Sequence, residues 1–338
     1  MIRFIGRRVG LSVIVVAGVI VITFFLTHVI PGDPAVSWAG PHASAAAIER
    51  ARVQLGLNLP WWRQVVHYFG GVLSGNWGTS IRTHRPVLSD LMQAIPASIE
   101  LVGAALVIAI VLGVPLGLVA ARFRGRPPDH LARALSVFGV SMPPFWLALI
   151  LQLIFFHYLN LLPGAGEYTP SLAYNHPLSS ITGIPVIDAL FTGNWTLFTS
   201  SLTHLVLPAL AVAAYPVGVI ARMVRAKVSE ASEETHSQMA RALGFSERSV
   251  LGRFALRLAW NPVLQVLALV FAYSLVNTFL VESVFDWPGL GSYAANAVSA
   301  LDVPAIAGIT LFVAIAYVIL NLAVDIAQAF FDPRIRLR

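Results

Sequence analysis

Six long apolar runs divide the chain, and each is close to the length that an α-helix needs to cross a bilayer. A hydrocarbon core of about 30 Å takes about 20 residues at the 1.5 Å rise of a helix. The runs lie at residues 9–30, 99–121, 134–159, 202–221, 263–281 and 305–330. The pattern therefore predicts an all-α polytopic membrane protein with six transmembrane helices.

The composition agrees with this pattern and narrows the chemistry. Of 338 residues, 57% are hydrophobic and only 11% are charged, which is too apolar for an ordinary soluble domain. The absence of cysteine excludes disulfides, thiolate metal sites and a cysteine nucleophile. No nucleophile with a base, close carboxylate pair, paired histidine ligands or phosphate-binding loop stands out. The sequence predicts neither an enzyme nor a bound cofactor.

The basic residues indicate the orientation. Seventeen of the 22 lysines and arginines precede the first run, follow the sixth, or lie between the second and third or the fourth and fifth. The positive-inside rule places these segments and both termini in the cytoplasm. The positions of the basic residues therefore account for the net charge of +6 as a signal of membrane orientation, and we predict no nucleic-acid partner. A signal peptide at the N-terminus is the alternative, but the apolar run is too long for one.

The spans predict three regions: an N-terminal segment with the first helix at 1–30, an extracytoplasmic loop at 31–98, and a core transmembrane region at 99–338 with a cytoplasmic loop at about 222–262. In the outer loop Ser44 can cap a helix over 45–55, and Pro60 can open another over 61–73. Trp61 and Trp62 on the second helix either anchor it in the outer headgroup layer or contact substrate. The second outer loop, 160–201, is predicted to be irregular.

Prolines within the spans predict bent helices, because proline removes a backbone donor and clashes with the preceding turn. They are Pro115, Met142-Pro143-Pro144, Pro208 and Pro216. Bent helices can line a cavity, and the pathway candidates are Ser141, Pro143, Pro144, Phe145 and Pro208. The alternative is that these residues only shape packing. Gly113 and Gly117 form a small-xxx-small pair that allows two helices to approach closely.

Ionisable residues are scarce in the spans, and a proton relay would need several at mid-depth. His28, His157 and His204 lie near span ends. Asp325 is expected to pair with a cytoplasmic arginine. Glu282 and Asp286 fall just outside the fifth span, where we expect them to be solvated.

The cytoplasmic loop contains a charged pair of short helices. The first is predicted from about 232 to 243 with Gly244 as its stop, and Ser246 caps the second. Val250, Phe254 and Leu258 form an apolar stripe on the second helix at i, i+4, i+8. Two interpretations stay open: adhesion to anionic lipid, or a protrusion that docks into a groove of another protein.

These motifs, in this order, resemble those of inner-membrane permease subunits of ABC importers in the dipeptide, oligopeptide and nickel family. The cytoplasmic matches to the family's EAA loop are Ala240-Arg241-Ala242, Gly244, Ser246 and Pro262. The matches elsewhere include Pro31-Gly32-Asp33-Pro34, Leu55-Gly56-Leu57, Ser141-x-Pro143-x-Phe145, Leu207-Pro208, Val281-Glu282, Trp287-Pro288-Gly289-Leu290-Gly291 and Asp332-Pro333-Arg334-Ile335-Arg336. The chain departs from the family at Thr235, His236 and Leu243, which bears on which ATPase it recognises.

The resemblance implies a type I ABC importer permease fold in the cytoplasmic membrane of a prokaryote. It implies a homologous second permease, two cytoplasmic ATPase subunits that bind ATP and magnesium, and an extracytoplasmic binding protein. It assigns ATPase coupling to Ala240, Arg241, Ala242, Leu243, Gly244, Phe245 and Ser246. Trp287 and Gly289 join Trp61 and Trp62 as outer-loop candidates.

Peptides are the expected cargo, with nickel chelates, haem or oligosaccharides as alternatives within the family. Two rival classes are an ATP-independent secondary transporter and a membrane scaffold. The first predicts transport without ATP. The second predicts that changes at Gly244 harm assembly and leave solute flux intact.

Overall fold

The chain is helical along almost its whole length. A computed structural model describes residues 2–29, 34–40, 42–54, 56–177 and 179–331. In these ranges the only strand-like pairing is an isolated bridge between Thr79 and Pro86. The chain divides into two compact units, Met1–Ile95 with Ser292–Leu322 and Pro96–Gly291 with Ala323–Arg338.

The first unit gathers the N-terminal helices and part of the last one. Its helices are α1 Ile2–Val29, α2 Pro34–Ala39, α3 Ala45–Gln54, α4 Trp61–Leu73, the first turns of α5 (Val87–Arg122), most of α15 (Leu290–Ser299) and the first part of α16 (Val303–Phe331). The apolar cluster of Ile20, Val72 and Leu311 joins α1, α4 and α16. Ser80 Oγ donates to Asp302 Oδ2 at 2.5 Å, which fastens the loop before α5 to the start of α16.

The two predicted outer helices are confirmed. The backbone N–H of Ala47 donates to Ser44 Oγ at 3.3 Å, so Ser44 caps α3 as expected. Gly56 follows α3 with a φ of +68°, and Pro60 precedes α4. Local capping and turn residues were sufficient to locate these helices because both ends carry such signals.

The second unit contains the remaining helices. They are most of α5, then α6 Pro127–Ser141, α7 Pro144–Leu151 with a π turn at Gln152–Tyr158, α8 Pro170–Asn175, α9 Pro185–Phe191, α10 Trp195–Glu233, α11 Thr235–Ala242, α12 Glu247–Ser249 with a π turn at Val250–Ala255, α13 Leu256–Asn277 and α14 Phe279–Val284. The expectation of irregular structure over 160–201 is therefore wrong in part. α8, α9 and the first turns of α10 lie there.

Only one group of prolines interrupts its helix. At Met142 and Pro143 the chain leaves helical geometry, and the helices on either side make an angle of 104°. Pro115, Pro208 and Pro216 lie inside continuous helices. Neighbouring helices and local adjustment can accommodate a proline within a continuous span, and the bends expected at these three prolines stay a prediction.

Glycines bring three helices of the second unit into close contact. A Cβ at Gly117 would lie 2.7 Å from the carbonyl oxygen of Ala221, and one at Gly113 would lie 3.1 Å from that of Val217. Gly139 on α6 and Gly218 on α10 contact each other's helix backbone in the same way. The close approach predicted for Gly113 and Gly117 is confirmed, and α10 is their partner.

Four described helical segments are long and apolar enough to cross a membrane: Gly6–Phe25, Val87–Arg122, Trp195–Glu233 and Val303–Leu322. The bent pair of Pro127–Ser141 and Pro144–Tyr158 would make a fifth. The run at 263–281 coincides with α13 and α14, which part at Thr278. Six spans and cytoplasmic termini stay predictions. The motifs at 31–33 and 332–338 lie outside the described residues, as do the side chains of His28 and Asp325.

Candidate functional site

The fourth apolar run continues as helix well beyond its apolar part. α10 extends 11 residues past Arg222, about 16 Å at the helical rise, and ends at Glu233. Glu234 has an extended backbone with ψ of 157°, and α11 begins at Thr235. The predicted start at 232 is therefore wrong. Ser232 belongs to α10, because charged residues end an apolar pattern without ending a helix.

Side-chain hydrogen bonds attach α11 to the end of α10. Ser237 Oγ donates to the carbonyl oxygen of Ala231 at 2.7 Å, and both groups are buried. Arg241 Nη1 donates to the carbonyl oxygen of Ser232 at 2.7 Å. These bonds satisfy carbonyls that the last turn of α10 would leave open. The short helix therefore has a fixed position on α10.

Arg241 also bonds to the chain that follows. Its Nε and Nη2 donate to the two carboxylate oxygens of Glu247 at 3.0 and 2.8 Å, a bidentate pair. This hydrogen bond to Arg241 lowers the pKa of Glu247. One guanidinium thus joins α10, α11 and α12.

The turn between α11 and α12 has the geometry that its sequence predicts. Gly244 has a φ of +85°, and a Cβ there would meet nothing within 4 Å. The glycine is therefore required for backbone conformation and not for space. Ser246 Oγ accepts from the backbone N–H of Ser249 and caps α12. Both predicted roles are confirmed.

The 235–246 segment presents an apolar cap to its surroundings. Met239, Leu243 and Phe245 are exposed by 64, 69 and 46% of their surface. Ala240 faces the other way and is 5% exposed, while Ala242 and Gly244 are exposed. Among the residues predicted for coupling, Ala240 and Arg241 hold the segment in place, and Leu243 and Phe245 are available to a partner.

The apolar stripe after this turn packs within the chain. Val250 is fully buried, and Leu251 and Ala255 beside the stripe are buried in one cluster with Val224, Val228 and other α10 residues. Phe254 is half-buried, and the side chain of Leu258 lies outside the described residues. Glu247 to Asn277 is helical without a break, so the predicted second helix and the fifth apolar run form one rod. This stripe therefore does not lie free for adhesion to lipid.

A buried carboxylate joins the loop before α6 to the same part of α10. Asp129 is fully buried and accepts from Arg225 Nε at 2.7 Å and Nη2 at 3.0 Å. It also accepts from the backbone N–H of Gly125 at 2.9 Å, and Arg133 lies 3.4 Å away. The N-terminal end of α6 and the C-terminal part of α10 are thereby fixed to each other.

The predicted pathway residues separate into two groups. Ser141, Pro143, Pro144 and Phe145 lie at or beside the break between α6 and α7, and Ser141, Pro143 and Phe145 are exposed. Pro208 is buried in the apolar core with its neighbours Leu207 and Ala209, so its surroundings are those of a packing residue. A small recess beside the break is lined by Pro144, Val212, Tyr215, Tyr273, Ser274 and Asn277.

The four outer-loop candidates also form two groups, which differ in their exposure. Trp61 and Trp62 are exposed, but Trp287 is only 1% exposed and its indole Nε1 donates to the carbonyl oxygen of Ala97 at 2.9 Å. A Cβ at Gly289 would collide with the Glu282 carboxylate and Ser98 Oγ. Trp287 and Gly289 are therefore structural residues and do not form part of an exposed outer surface.

Glu282 is fully buried, so the expectation that it is solvated is wrong. Its Oε1 accepts from Ser98 Oγ and its Oε2 from the backbone N–H of Gly291, both at 2.7 Å. The Pro288–Gly291 turn folds back over the carboxylate, and its backbone and Ser98 replace water as donors. Asp286 is exposed, as expected.

Two further carboxyl groups went unnoticed in the sequence. Glu100 lies within the second apolar run and is 8% exposed, and its Oε1 accepts from the backbone N–H of Val186. Burial, with the charges of Glu100 and Glu282, raises the pKa of Glu167 to about 8. The position of Glu100 inside an apolar run was a signal that could have found it from the sequence. Nothing in the neighbouring residues distinguished Glu167.

Within the described residues, no group of three metal-binding side chains occurs.

Comparison with known proteins agrees with this arrangement. Residues 113–337 match the family described as binding-protein-dependent transport system inner membrane component, and residues 1–102 match the N-terminal region of the same kind of membrane component. The chain belongs to this family. It is a permease subunit of an ABC importer in the cytoplasmic membrane, and ATP hydrolysis takes place in separate ATPase subunits.

Curated relatives match nearly end to end. The chain is 42% identical to the probable D,D-dipeptide transport system permease protein DdpB of Escherichia coli K12, over 96% of this chain and 94% of the relative. It is 36% identical to the dipeptide transport system permease protein DppB of Alkalihalophilus pseudofirmus, over 99 and 100%. It is 32% identical to the glutathione transport system permease protein GsiC of Escherichia coli K12, over 94% of both. The family resemblance predicted from the motifs is confirmed.

Proposed function

We propose that this permease forms one half of a pathway that imports dipeptides or short oligopeptides. The other half is a homologous second permease. Two cytoplasmic ATPase subunits bind ATP and magnesium, and an extracytoplasmic binding protein delivers the peptide. The names of the relatives support the cargo, since the three cited act on dipeptides, D,D-dipeptides or glutathione.

The observation that carries the coupling role is the fixed apolar cap of the 235–246 segment. Ser237 and Arg241 hold this segment on the end of α10 by two hydrogen bonds, and Arg241 makes two more to Glu247 of α12. Leu243 projects from it with 69% of its surface exposed, and Phe245 is 46% exposed although its ring packs edge-on against that of Phe254. An exposed apolar cap on a short rigid helix is suited to docking in a groove of another protein.

Closure of the ATPase pair would then move the permease through α10. The 235–246 segment is tied to the end of this helix, and glycine contacts hold α5 and α6 on its upper part. Changing a two-state population from 1:99 to 99:1 requires about 5.5 kcal/mol of differential interaction. Because hydrogen bonds tie the segment to α10 and glycine contacts tie α10 to α6, we expect force on the segment to reach the break between α6 and α7.

The lipid-adhesion alternative has less support. Adhesion uses a basic amphipathic face, but Val250 is already fully buried within the chain, and Leu251 and Ala255 beside it are buried against α10. Other cargo of the family, such as nickel chelates, haem or oligosaccharides, is selected mainly by the binding protein. The solute that co-purifies with that binding protein identifies the cargo directly.

The test of the coupling role is Gly244→Val. A β-branched residue at a φ of +85° costs about 1–2 kcal/mol or more and changes the direction of the turn. We expect ATP-driven peptide uptake to fall at least about tenfold, while the chain still reaches the membrane and still binds its second permease.

Gly252→Ala is the matched control, because Gly252 is exposed three residues after Ser249, has no positive φ and has open space at its Cβ. It should leave uptake unchanged. Full uptake by Gly244→Val would refute the coupling assignment. Loss of assembly with normal flux in the assembled fraction would favour a scaffold role.

A further inference from the structure

The recess beside the α6–α7 break places polar side chains in a part of the permease that is otherwise apolar. Tyr273 and Asn277 lie one turn apart on α13, and both are exposed. The Tyr273 ring lies on that of Tyr215 from α10, with centroids 5.0 Å apart and planes at 33°. Pro144, the first residue of α7, completes the wall.

The position of the recess is within the predicted membrane layer. Tyr215 precedes Arg222, the first charged residue of α10, by seven residues, or about 10 Å of helix. Tyr273 lies near the middle of the apolar run at 263–281. Three helical elements therefore bring two phenols and an amide together at a depth where lipid would surround an outward-facing side chain.

An exposed amide at this depth needs a polar neighbour. An asparagine side chain offers two donor hydrogens and an acceptor oxygen. Within the described residues, Asn277 makes one hydrogen bond, from Nδ2 to the carbonyl oxygen of Tyr273 at 2.8 Å. Leaving the other sites in hydrocarbon would cost several kcal/mol. This face of α13 must therefore meet water or another polar group during the transport cycle.

The chemistry of the recess identifies the class of ligand. Its six lining residues include no acid and no base. The recess therefore has no charged group that would favour or reject peptides by the charge of their termini or side chains. A primary amide pairs with a peptide bond through one donor and one acceptor, and phenol rings offer a flat surface to side chains of any type. We propose that Tyr215, Tyr273 and Asn277 form a transient binding site for the main chain of the peptide as it crosses the membrane. This inference rests on the proposed peptide-import function.

The test uses the natural absence of cysteine from this chain. Tyr273→Cys and Asn277→Cys are prepared singly in the complete transporter and reconstituted in vesicles, with binding protein and peptide outside and ATP inside. A charged, membrane-impermeant methanethiosulfonate is then added outside, and labelling is measured on this chain alone. The control is Leu264→Cys, because Leu264 is exposed on the same helix about 180° around from Tyr273.

We expect labelling at positions 273 and 277 during ATP turnover and little at 264, where the thiol faces lipid. A saturating transported peptide should slow labelling at 273 and 277 at least about threefold, and Asn277→Leu should lower uptake about two- to tenfold, as expected for one lost hydrogen bond.

Either of two results overturns the site. Absence of labelling at 273 and 277 means that lipid or the second permease covers this face. If saturating peptide does not slow the labelling, this face is in contact with water but does not bind the peptide main chain. Uptake by the unlabelled parent is measured in the same vesicles. If the parent takes up peptide with ATP, a negative result affects only the site; if it does not, the proposed function itself fails.

Discussion

At Gly289 the chain has room for a hydrogen atom and for nothing larger. A Cβ there would meet the Glu282 carboxylate and lie 2.5 Å from Ser98 Oγ. Both groups are buried and hydrogen-bonded, so neither can move aside without losing a partner. The absence of a side chain at this glycine therefore allows the turn to donate a hydrogen bond to the fully buried Glu282 carboxylate.

Gly289→Ala should accordingly destabilise the permease. We expect a loss of about 1–3 kcal/mol or more from overpacking and disrupted hydrogen bonds. The readouts are the level of folded protein in the membrane and the midpoint of thermal unfolding in detergent. Gly103→Ala is the control, since a Cβ at this α5 position meets nothing within 4 Å and alanine favours helix. Equal stability of the two variants would contradict this account of the turn.

The sequence indicated the Trp287–Gly291 motif but not its role. Its residue types are also typical of a binding loop, and nothing local shows that the turn folds back on Glu282 and Ser98, 184 residues apart in sequence. Glu282 was expected in solvent because it follows an apolar run. Its burial depends on a long-range contact, and such contacts are invisible to patterns of neighbouring residues.

At the scale of elements, two ion pairs join the first turn of α6 and the loop just before it to the C-terminal part of α10, and they differ in burial. Asp129 is fully buried, and its partner Arg225 is 26% exposed. Arg124 Nη1 lies 2.6 Å from Glu233 Oε1, but both side chains are more than half exposed. The pairs therefore allow a comparison of a buried and a surface connection from neighbouring segments to the same helix, α10.

Asp129→Ala should lower both stability and uptake. Removing one partner of a buried pair costs roughly 3–5 kcal/mol, and the partial exposure of Arg225 places the expectation near the lower limit. Glu233→Ala is the control, because an exposed pair contributes about 0–1 kcal/mol. Thermal unfolding and ATP-driven uptake are measured for both. If Glu233→Ala is as harmful as Asp129→Ala, burial does not determine the strength of this connection.

Helix ends were predictable where the chain has local stop and start signals. Ser44, Pro60, Gly244 and Ser246 each determined a boundary that the structure confirms. The length of α10 was not predictable from hydropathy, because the helix continues through charged residues to Glu233. Its extension is held by Asp129 and by the cluster around Val224, which belong to distant segments.

For the whole molecule, the rival class that the sequence left open was a secondary transporter driven by an ion gradient, and the family match argues against it. The buried carboxyl groups of Glu100 and Glu282 and the half-buried one of Glu167 give that rival a concrete proton site, although the sequence pattern suggested none. With its pKa raised to about 8, Glu167 is protonated at pH 7. Between the ordinary glutamate pKa of 4.5 and about 8, the folded chain holds this proton and the unfolded chain does not, so stability falls as pH rises across that window.

The two mechanisms differ in what Glu167→Gln does to transport. Glutamine imitates the protonated carboxyl. In an ATP-driven permease, uptake by the variant at pH 7 should therefore stay within about twofold of uptake by the parent. A protonophore should change the uptake of neither protein. Thermal stability should decline less from pH 6 to 9 in the variant than in the parent, because the titrating group is gone. A proton gradient imposed without ATP should drive no uptake in either. Peptide accumulation under that gradient, abolished by Glu167→Gln, would instead show that this chain carries protons and that its apolar cytoplasmic cap does not transmit the driving force.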